Sequence, residues 1–197
     1  MKKIVVLGST GSIGTSALKV IGAMGRTVRV VGLAAGKNIK LLFQQIKEFR
    51  PEIVTLETEH SKRELLSRLG SVSYRPRILC GKEGLKSLAS YPKANFVISS
   101  LVGAVGLIPT LEAVRKGKDV ALANKEVLVM AGDLILKEAR KRNVRILPVD
   151  SEHSAVFQCL QGQKLENIRR VILTASGGPF YNYSRKRLSR VTVDQTL

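Results

Sequence analysis

The chain has 197 residues, of which 44% are hydrophobic, and its 33 Lys and Arg against 15 Asp and Glu give a formal net charge of +18. This length allows one or two domains with a buried core, and no apolar run approaches the ~20 residues that span a bilayer. Only four apolar residues follow Met1-Lys2-Lys3 before Gly8, too few for a secretory signal, and two isolated cysteines indicate reduced thiols in a cytoplasmic protein rather than a disulfide framework.

The basic excess is spread along the chain, with local concentrations at 137–145 and 185–190. Aromatic residues make up only 5% of the chain and are not interleaved with the basic residues, which disfavours a nucleic-acid surface. A field that attracts small phosphorylated anions fits this distribution better.

Apolar runs and helical periodicities alternate along the chain. Strands are predicted at 3–7, 28–34, 53–56, 77–80, 95–101, 119–123, 145–149 and 170–175. Helices are predicted at 13–21, 38–49, 59–69, 83–89, 109–116, 126–141 and 152–160. This alternation with short connections predicts an α/β fold, a Rossmann-like doubly wound and mainly parallel sheet with helices on both faces.

The first predicted strand leads into Gly8-Ser9-Thr10-Gly11-Ser12-Ile13-Gly14 and then into the first helix. Glycines at a strand-to-helix turn let a ligand approach the main chain, and the helix N-terminus suits a phosphate. Ser9, Thr10 and Ser12 add hydroxyl donors. The spacing G-x-x-G-x-x-G fits the usual dinucleotide fingerprint only in part, so the alternative is a Gly/Ser-rich connection without a ligand.

The second predicted strand leads into Ala35-Gly36-Lys37-Asn38. A protein that binds NAD usually places Asp or Glu here for the ribose 2′-hydroxyl, and this segment has neither. A lysine and an amide suit a 2′-phosphate instead, which favours NADP over NAD. The alternative is that Asn38 only caps a helix and Lys37 is a surface charge.

Two further loops follow predicted strands. The small residues of 99–106 can let a flat ligand approach or can serve packing alone. Asn124, Lys125 and Glu126 place an amide, a cation and a carboxylate at a strand end, although Asn124 also suits a plain helix cap.

Asp150 and Glu152 follow the next predicted strand and lie two positions apart. If the backbone is still extended there, both carboxylates point the same way and form a hard-oxygen site for Mg²⁺ or Mn²⁺. The alternative is that Asp150 or Ser151 caps a helix and Glu152 complements its dipole. Farther on, the small-residue loop 175–180 can hold an anion or simply turn.

Five segments occur together in order: Gly8-Ser9-Thr10-Gly11-Ser12-Ile13-Gly14, Ala35-Gly36-Lys37-Asn38, Ala123-Asn124-Lys125-Glu126, Pro148-Val149-Asp150-Ser151-Glu152-His153 and Ser176-Gly177-Gly178-Pro179-Phe180. In this combination the chain resembles the 1-deoxy-D-xylulose 5-phosphate reductoisomerase family, NADPH enzymes of the non-mevalonate isoprenoid route. Members isomerise a phosphorylated ketose and reduce the product with NADPH, aided by Mg²⁺ or Mn²⁺. The resemblance implies an NADPH-binding domain at 1–148 and the start of a truncated α/β catalytic domain at 149–197.

The resemblance also implies a role for each matched residue. The residues that contact the cofactor are Thr10, Gly11, Ser12, Ile13, Gly36, Lys37, Asn38, Asn124 and Glu126. The substrate is bound by Lys125, Ser151 and Ser176, and the metal ion by Asp150 and Glu152. A full-length homodimer acting on a small phosphorylated sugar is implied as well.

Family members are about twice as long as this chain, and the lid, the phosphate-gripping residues and a third metal carboxylate lie in the part that has no counterpart here. We therefore expect the 197-residue chain alone to have little or no reductoisomerase activity while still binding NADPH. Two other classes stay open, a different NADP-dependent reductase and a non-catalytic NADP-binding module. Cys80 and Cys159 lie in no recognisable nucleophile motif, which argues against a semialdehyde reductase type.

Overall fold

A computed structural model describes residues 1–70, 73–172 and 178–196. The chain divides into two compact units, Met1–Ser154 and Ala155–Leu197. The strands are β1 (Lys2–Leu7), β2 (Val28–Ala35), β3 (Ile53–Leu56), β4 (Arg77–Cys80), β5 (Phe96–Ser99), β6 (Asp119–Leu122) and β7 (Ile146–Pro148). The helices are α1 (Ser12–Ala23), α2 (Ile39–Phe49), α3 (Glu59–Leu69), α4 (Gly81–Ala89), α5 (Leu107–Arg115), α6 (Lys125–Arg142), α7 (Ser151–Leu160) and α8 (Arg185–Leu188).

The strands form one sheet in the order β4-β3-β2-β1-β5-β6-β7, and every neighbouring pair is parallel. The predicted doubly wound α/β fold is therefore confirmed. The chain builds outward from β1 in one direction and then returns to β5 on the other side of β1. In sheets of this kind, ligands bind beyond the carboxyl ends of the strands at that reversal.

Residues of β1 divide between two apolar cores, one on each face of the sheet. Ile4 and Val6 belong to one core with residues of α1, α2 and α3, while Val5 and Leu7 belong to the other with residues of α4, α5 and α6. Because successive side chains of a strand point to opposite faces, a strand covered on both faces has to be apolar throughout. The uninterrupted Ile-Val-Val-Leu run of β1 is explained by this double burial.

The predicted and observed boundaries differ at a few places. Helix α6 has non-helical backbone at Ala131 (φ −151°), next to Gly132, where a single uninterrupted helix was expected. Glycine has a low helix propensity, so the helix bends most easily beside Gly132. Strand β5 ends at Ser99 rather than at 101, because the chain leaves the sheet for the 3₁₀ turn Gly103–Gly106.

The unit Ala155–Leu197 has no buried residue in its described part. Residues 170–172, where a strand was expected, are not in a strand, and the remainder of that prediction at 173–175 lies outside the described residues. Two ring contacts lie within this second unit: the rings of Phe180 and Tyr183 meet edge to face at 5.3 Å, and the Arg187 guanidinium lies 3.7 Å from the centre of the Tyr183 ring. Among the described helices of both units, none combines the length and apolarity needed to cross a membrane.

At the amino ends of the strands, Glu52 is the acceptor for three neighbouring groups. Tyr91 Oη donates to it at 2.8 Å and Lys93 Nζ at 2.6 Å, and Arg29 lies 3.1 Å away. The hydrogen bond from Lys93, and after it the one from Tyr91, holds the pKa of Glu52 below its ordinary value of 4.5. This network ties β2 to the segment before β5 on the side of the sheet away from the candidate site.

We expect Glu52→Gln to lower the free energy of unfolding at neutral pH by about 1 kcal/mol, a value discounted because the network lies near solvent. Since the folded-state pKa is lowered, the contribution is complete above the ordinary carboxyl pKa and disappears as the pH falls through the lowered value. Urea unfolding at several pH values measures this. Glu83→Gln is the control, since its side chain is 87% exposed and its ion pair with Lys86 spans 4.0 Å; it should change the free energy of unfolding by less than about 0.5 kcal/mol. A Glu52→Gln deficit that persists at low pH would contradict the assignment.

Candidate functional site

The turn after β1 is held by hydrogen bonds to both neighbouring strands. The amides of Gly8 and Ser9 both donate to the Ala34 carbonyl of β2, at 3.1 and 2.8 Å. The Ser100 hydroxyl, just after β5, donates to the Leu7 carbonyl at 2.6 Å. Gly8 has a φ of +81°, and a Cβ there would lie 2.6 Å from the Ser100 carbonyl oxygen. Glycine is therefore required at the point where the turn passes β5.

Helix α1 begins directly above this turn. A Cβ on Gly14 would overlap the Gly8 carbonyl oxygen and lie 2.7 Å from the Ser9 Cα, so the helix is seated on the turn through a glycine. The first intrahelical bond is donated by Thr15 to the Gly11 carbonyl. The amides of Ser12, Ile13 and Gly14 precede it and have no carbonyl to reach within the helix. Ser12 and Ile13 are exposed, so this helix N-terminus offers backbone donors of the kind that suit an anion.

Ser9 does not supply the hydroxyl donor that the sequence suggested. Its side chain is fully buried, and its Oγ donates to Gln45 Oε1 at 2.8 Å. Gln45 Nε2 donates back to the Ser9 carbonyl, also at 2.8 Å. The hydroxyls of Thr10 and Ser12 remain beside the turn. Sequence patterns gave no signal for Gln45, because it lies 36 positions away from its partner.

The segment after β2 places Lys37 on the surface at the start of α2. Asn38 caps that helix, with its Oδ1 accepting from the Leu41 amide at 3.1 Å. Lys37 has no ion pair among the described residues, so its charge is available to an anion. Asn38 therefore acts as a helix cap, which was the alternative interpretation of this residue. Lys37 is the cationic side chain of this segment.

A cavity of about 570 Å³ lies at the carboxyl ends of the strands beside this segment. It is lined by Ala34, Ala35, Gly36, Leu56, Glu57, Gly81, Lys82, Leu85, Leu101, Val102 and Val105. Glu57 is the residue that sequence reasoning missed, since only the segment after β2 was searched for an acid. Its Oε2 lies 3.5 Å from where a Cβ on Gly36 would be. Its position immediately after the predicted strand 53–56 was the signal that could have identified it.

Asn124 is 3% exposed and uses its polar atoms inside the protein. Its Oδ1 caps α6 by accepting from the Val127 amide, and its Nδ2 donates to the carbonyls of Leu101 and Gly103. Asn124 therefore caps a helix, which was the alternative interpretation of this residue. By these bonds Asn124 holds the loop after β5 against the start of α6, where Lys125 and Glu126 are exposed.

Lys125 follows β6 and Asp150 follows the neighbouring β7, and Lys125 Nζ lies 4.0 Å from Asp150 Oδ2. His153 Nδ1 lies at the same distance from that oxygen. Helix α7 begins at Ser151, and the Ser154 amide donates to the Asp150 carbonyl. From Ser151 onward the backbone is therefore helical rather than extended, so the strand alternation invoked for Asp150 and Glu152 does not apply.

The carboxylate of Glu152 is nevertheless stabilised in its ionised form. The Ser151 hydroxyl donates to Glu152 Oε2 at 2.6 Å and is the main reason that the pKa of Glu152 lies below its ordinary value. The Glu152 amide and the charge of Lys125 act in the same direction. Within 1–70, 73–172 and 178–196, no group of three Asp, Glu, His or Cys side chains is placed to hold a metal ion. Ser176 lies outside the described residues.

The sheet is parallel, has helices on both faces, and reverses its strand order beside a glycine turn that exposes helix amides. These features are typical of the dinucleotide-binding class of α/β proteins. Within this class the comparisons are specific. The chain belongs to the 1-deoxy-D-xylulose 5-phosphate reductoisomerase family: residues 4–132 match the model of that family, and residues 146–197 match the model of its C-terminal domain. The resemblance indicated by the five segments is thereby confirmed, while the predicted domain boundary at residue 148 and the individual residue roles stay predictions.

Relatives and solved structures agree with this assignment. The 1-deoxy-D-xylulose 5-phosphate reductoisomerases of Acaryochloris marina and Pelotomaculum thermopropionicum are 47% and 49% identical over all 197 residues, which correspond to 49% and 51% of those proteins. A DOX-P reductoisomerase in complex with magnesium matches with a TM-score of 0.84 at 36% identity, over 99% of this chain and 51% of that one. The Zymomonas mobilis reductoisomerase in complex with NADPH matches with a TM-score of 0.83 at 36% identity, over 98% and 50%. The chain thus spans about half the length of its relatives.

Proposed function

We propose that the chain provides the cofactor-binding part of an enzyme that converts 1-deoxy-D-xylulose 5-phosphate to 2-C-methyl-D-erythritol 4-phosphate with NADPH and a divalent metal ion. The observation that carries this proposal is the seating of α1 on the glycine turn at the sheet reversal, in a chain of this family. A solved relative with the same fold contains NADPH, and another contains magnesium.

Gly8 lets the turn after β1 pass close to the chain after β5, and Gly14 lets α1 sit on the turn. This packing presents the N-terminal amides of α1 at the reversal of the sheet, where the cofactor would bind. The diphosphate would be bound by the amides of Ser12 and Ile13, with Thr10 and Gly11 alongside. The bound nicotinamide supplies the hydride, and the chain's share is to bind and orient it.

The ribose 2′-phosphate would lie at the segment Gly36, Lys37 and Asn38. Lys37, which forms no ion pair with any residue that the structure describes, offers a positive charge there, and the overall charge of +18 raises the local concentration of anions. Asn124 would support the cofactor site by holding the loop after β5 in place. Glu126, which is exposed two positions later, would lie along the bound cofactor.

The carboxylates of Asp150 and Glu152 would hold the metal ion, since hard oxygen donors suit Mg²⁺ and Mn²⁺. A glutamate of ordinary pKa is already ionised at neutral pH, and the hydrogen bond from Ser151 lowers the pKa of Glu152 further. When bound, the ion supplies Lewis-acid polarisation of substrate oxygens. Lys125, 4.0 Å from Asp150, would orient the substrate with its positive charge. Ser151 and Ser176 would bind substrate as well, and a homodimer of the full-length enzyme stays a prediction.

The chemistry of Cys80 argues against the alternative of an NADP enzyme with a thiol nucleophile. Its Sγ donates to Glu59 Oε1 at 2.6 Å, and this hydrogen bond raises the pKa of the thiol. A thiol needs a lowered pKa to act as a nucleophile at neutral pH. Cys80 therefore lacks the activation which that alternative requires.

The activity is tested on a fusion of residues 1–197 to the C-terminal half of the Zymomonas mobilis relative. With NADPH and Mn²⁺ present, addition of 1-deoxy-D-xylulose 5-phosphate is expected to start oxidation of NADPH, measured by its absorbance. Asp150→Asn should slow this by at least about 100-fold, because it removes a carboxylate charge from the metal site. Asp133→Asn, at an exposed carboxylate of α6, is the control and should react normally. A fusion that binds NADPH but never oxidises it with substrate would contradict the proposal.

A further inference from the structure

Gln45 and Ser9 form a closed pair of hydrogen bonds inside the protein. Ser9 Oγ donates to Gln45 Oε1 and Gln45 Nε2 donates to the Ser9 carbonyl, each at 2.8 Å. The two residues are 5% and 0% exposed. Since the Ser9 amide is already bound to Ala34, the backbone donor, the backbone acceptor and the hydroxyl of Ser9 are all engaged.

The position of Gln45 is otherwise apolar. Its neighbours on the inner face of α2 are Leu42 and Ile46, both fully buried in the core. A buried amide costs free energy unless it is hydrogen-bonded, so an aliphatic residue would serve packing alone equally well. The bonded partner is the second residue of the glycine turn, between Gly8 and the start of α1.

We propose that Gln45 is a positioning residue that holds the glycine turn in the shape that binds the cofactor diphosphate. This inference rests on the proposed cofactor site. Gln45 touches no ligand itself; it fixes Ser9, and Ser9 fixes the backbone from which the amides of Ser12 and Ile13 are presented. Because Asn38, the N-cap of the same helix, lies about two turns earlier, Gln45 also ties the turn to the segment that would bind the 2′-phosphate.

The test compares two adjacent glutamines of α2. Gln45→Met keeps the side-chain volume and removes both hydrogen bonds, while Gln44→Met makes the same change at an exposed position. Ligand affinities are measured by calorimetry on the 197-residue chain with NADPH, NADH and adenosine 2′-monophosphate. The last of these has the ribose phosphate but no diphosphate.

For Gln45→Met we expect NADPH and NADH to bind more weakly by the same factor, about five- to tenfold. The affinity for adenosine 2′-monophosphate should stay within about twofold, because that ligand does not use the turn. Gln44→Met should behave as the unsubstituted chain. A uniform loss for all three ligands would show a general structural defect and overturn the proposal, as would unchanged binding of NADPH.

A second variant tests the hydrogen-bond pattern itself. In Gln45→Glu, the protonated carboxyl offers one donor and one acceptor, as the amide does, whereas the ionised carboxylate offers only acceptors. The variant should therefore bind poorly at about pH 8 and recover toward the unsubstituted chain at about pH 5, because burial raises the pKa of a carboxyl. NADP⁺ serves as the ligand, since the reduced form decomposes in acid.

An affinity of Gln45→Glu that follows the pH dependence of the unsubstituted chain would overturn the proposal. Failure of the proposed cofactor site has a separate outcome, in which the unsubstituted chain itself binds neither NADPH nor NADH. The two failures are thus distinguished by the unsubstituted chain alone.

Discussion

Gly14→Ala is expected to weaken the binding of NADPH by more than about tenfold and to lower the free energy of unfolding by about 2–4 kcal/mol. The added methyl group would overlap the Gly8 carbonyl oxygen and lie 2.7 and 2.8 Å from the Ser9 Cα and carbonyl carbon. All three are backbone atoms, so no side chain can move aside. Relief requires that α1 lifts from the turn, which displaces the amides that would bind the diphosphate. Urea unfolding and NADPH titration measure the two effects.

Gly22→Ala is the matched control, because it makes the same substitution in the same helix. A Cβ at Gly22 would have Glu48 Oε1 as its nearest neighbour, at an ordinary 3.9 Å. Replacing an unconstrained helical glycine by alanine stabilises a helix by about 1 kcal/mol. The two variants should therefore change stability in opposite directions. Normal NADPH binding by Gly14→Ala would show that the turn and α1 do not form the cofactor site.

Lys37→Glu is expected to lower the affinity for NADPH by at least about tenfold and to change the affinity for NADH by less than about threefold. The two cofactors differ only in the 2′-phosphate, which the unpaired Lys37 is placed to meet at the start of α2. Reversing this charge replaces attraction by repulsion. The preference of the unsubstituted chain for NADPH should also shrink with added salt, since an exposed charge is screened. Titrations with both cofactors at two salt concentrations measure this.

Lys47→Glu changes the net charge equally but lies in the last turn of α2, away from Gly36 and Asn38. It controls for the general field of a strongly basic chain, and its effect on NADPH should be small. Equal losses in the two lysine variants would mean that net charge, rather than a defined phosphate site, attracts the cofactor. Equal affinities of the unsubstituted chain for NADPH and NADH would also contradict the role of Lys37.

The fold was predictable because its signals are local. Strand β3 and helix α3 were predicted with their observed bounds, since Thr58 separates the apolar run from the helix and caps it through the Ser61 amide. The apolar run of β1 likewise indicated a strand that is buried on both faces. Short parallel strands alternating with helices leave few other arrangements.

The site residues could be predicted only where their role depends on neighbours in the sequence. The sequence identified the glycine turn, but it assigned the Ser9 hydroxyl to a ligand because its partner Gln45 is distant in sequence. It missed Glu57 for a different reason: an acid was expected only after β2, whereas this carboxylate follows β3 and comes beside Gly36 through the pairing of the two strands. The side-chain directions of Asp150 and Glu152 depended on where α7 begins, and a strand-to-helix boundary is uncertain by a residue or two.

We propose above all that the turn between β1 and α1 binds the diphosphate of a phosphorylated nicotinamide cofactor. A crystal of the chain soaked with NADPH would show where the cofactor lies. Diphosphate oxygens are expected within hydrogen-bonding distance of the Ser12 and Ile13 amides, with the 2′-phosphate beside Lys37. A cofactor bound elsewhere on the chain, with this turn empty, would contradict it.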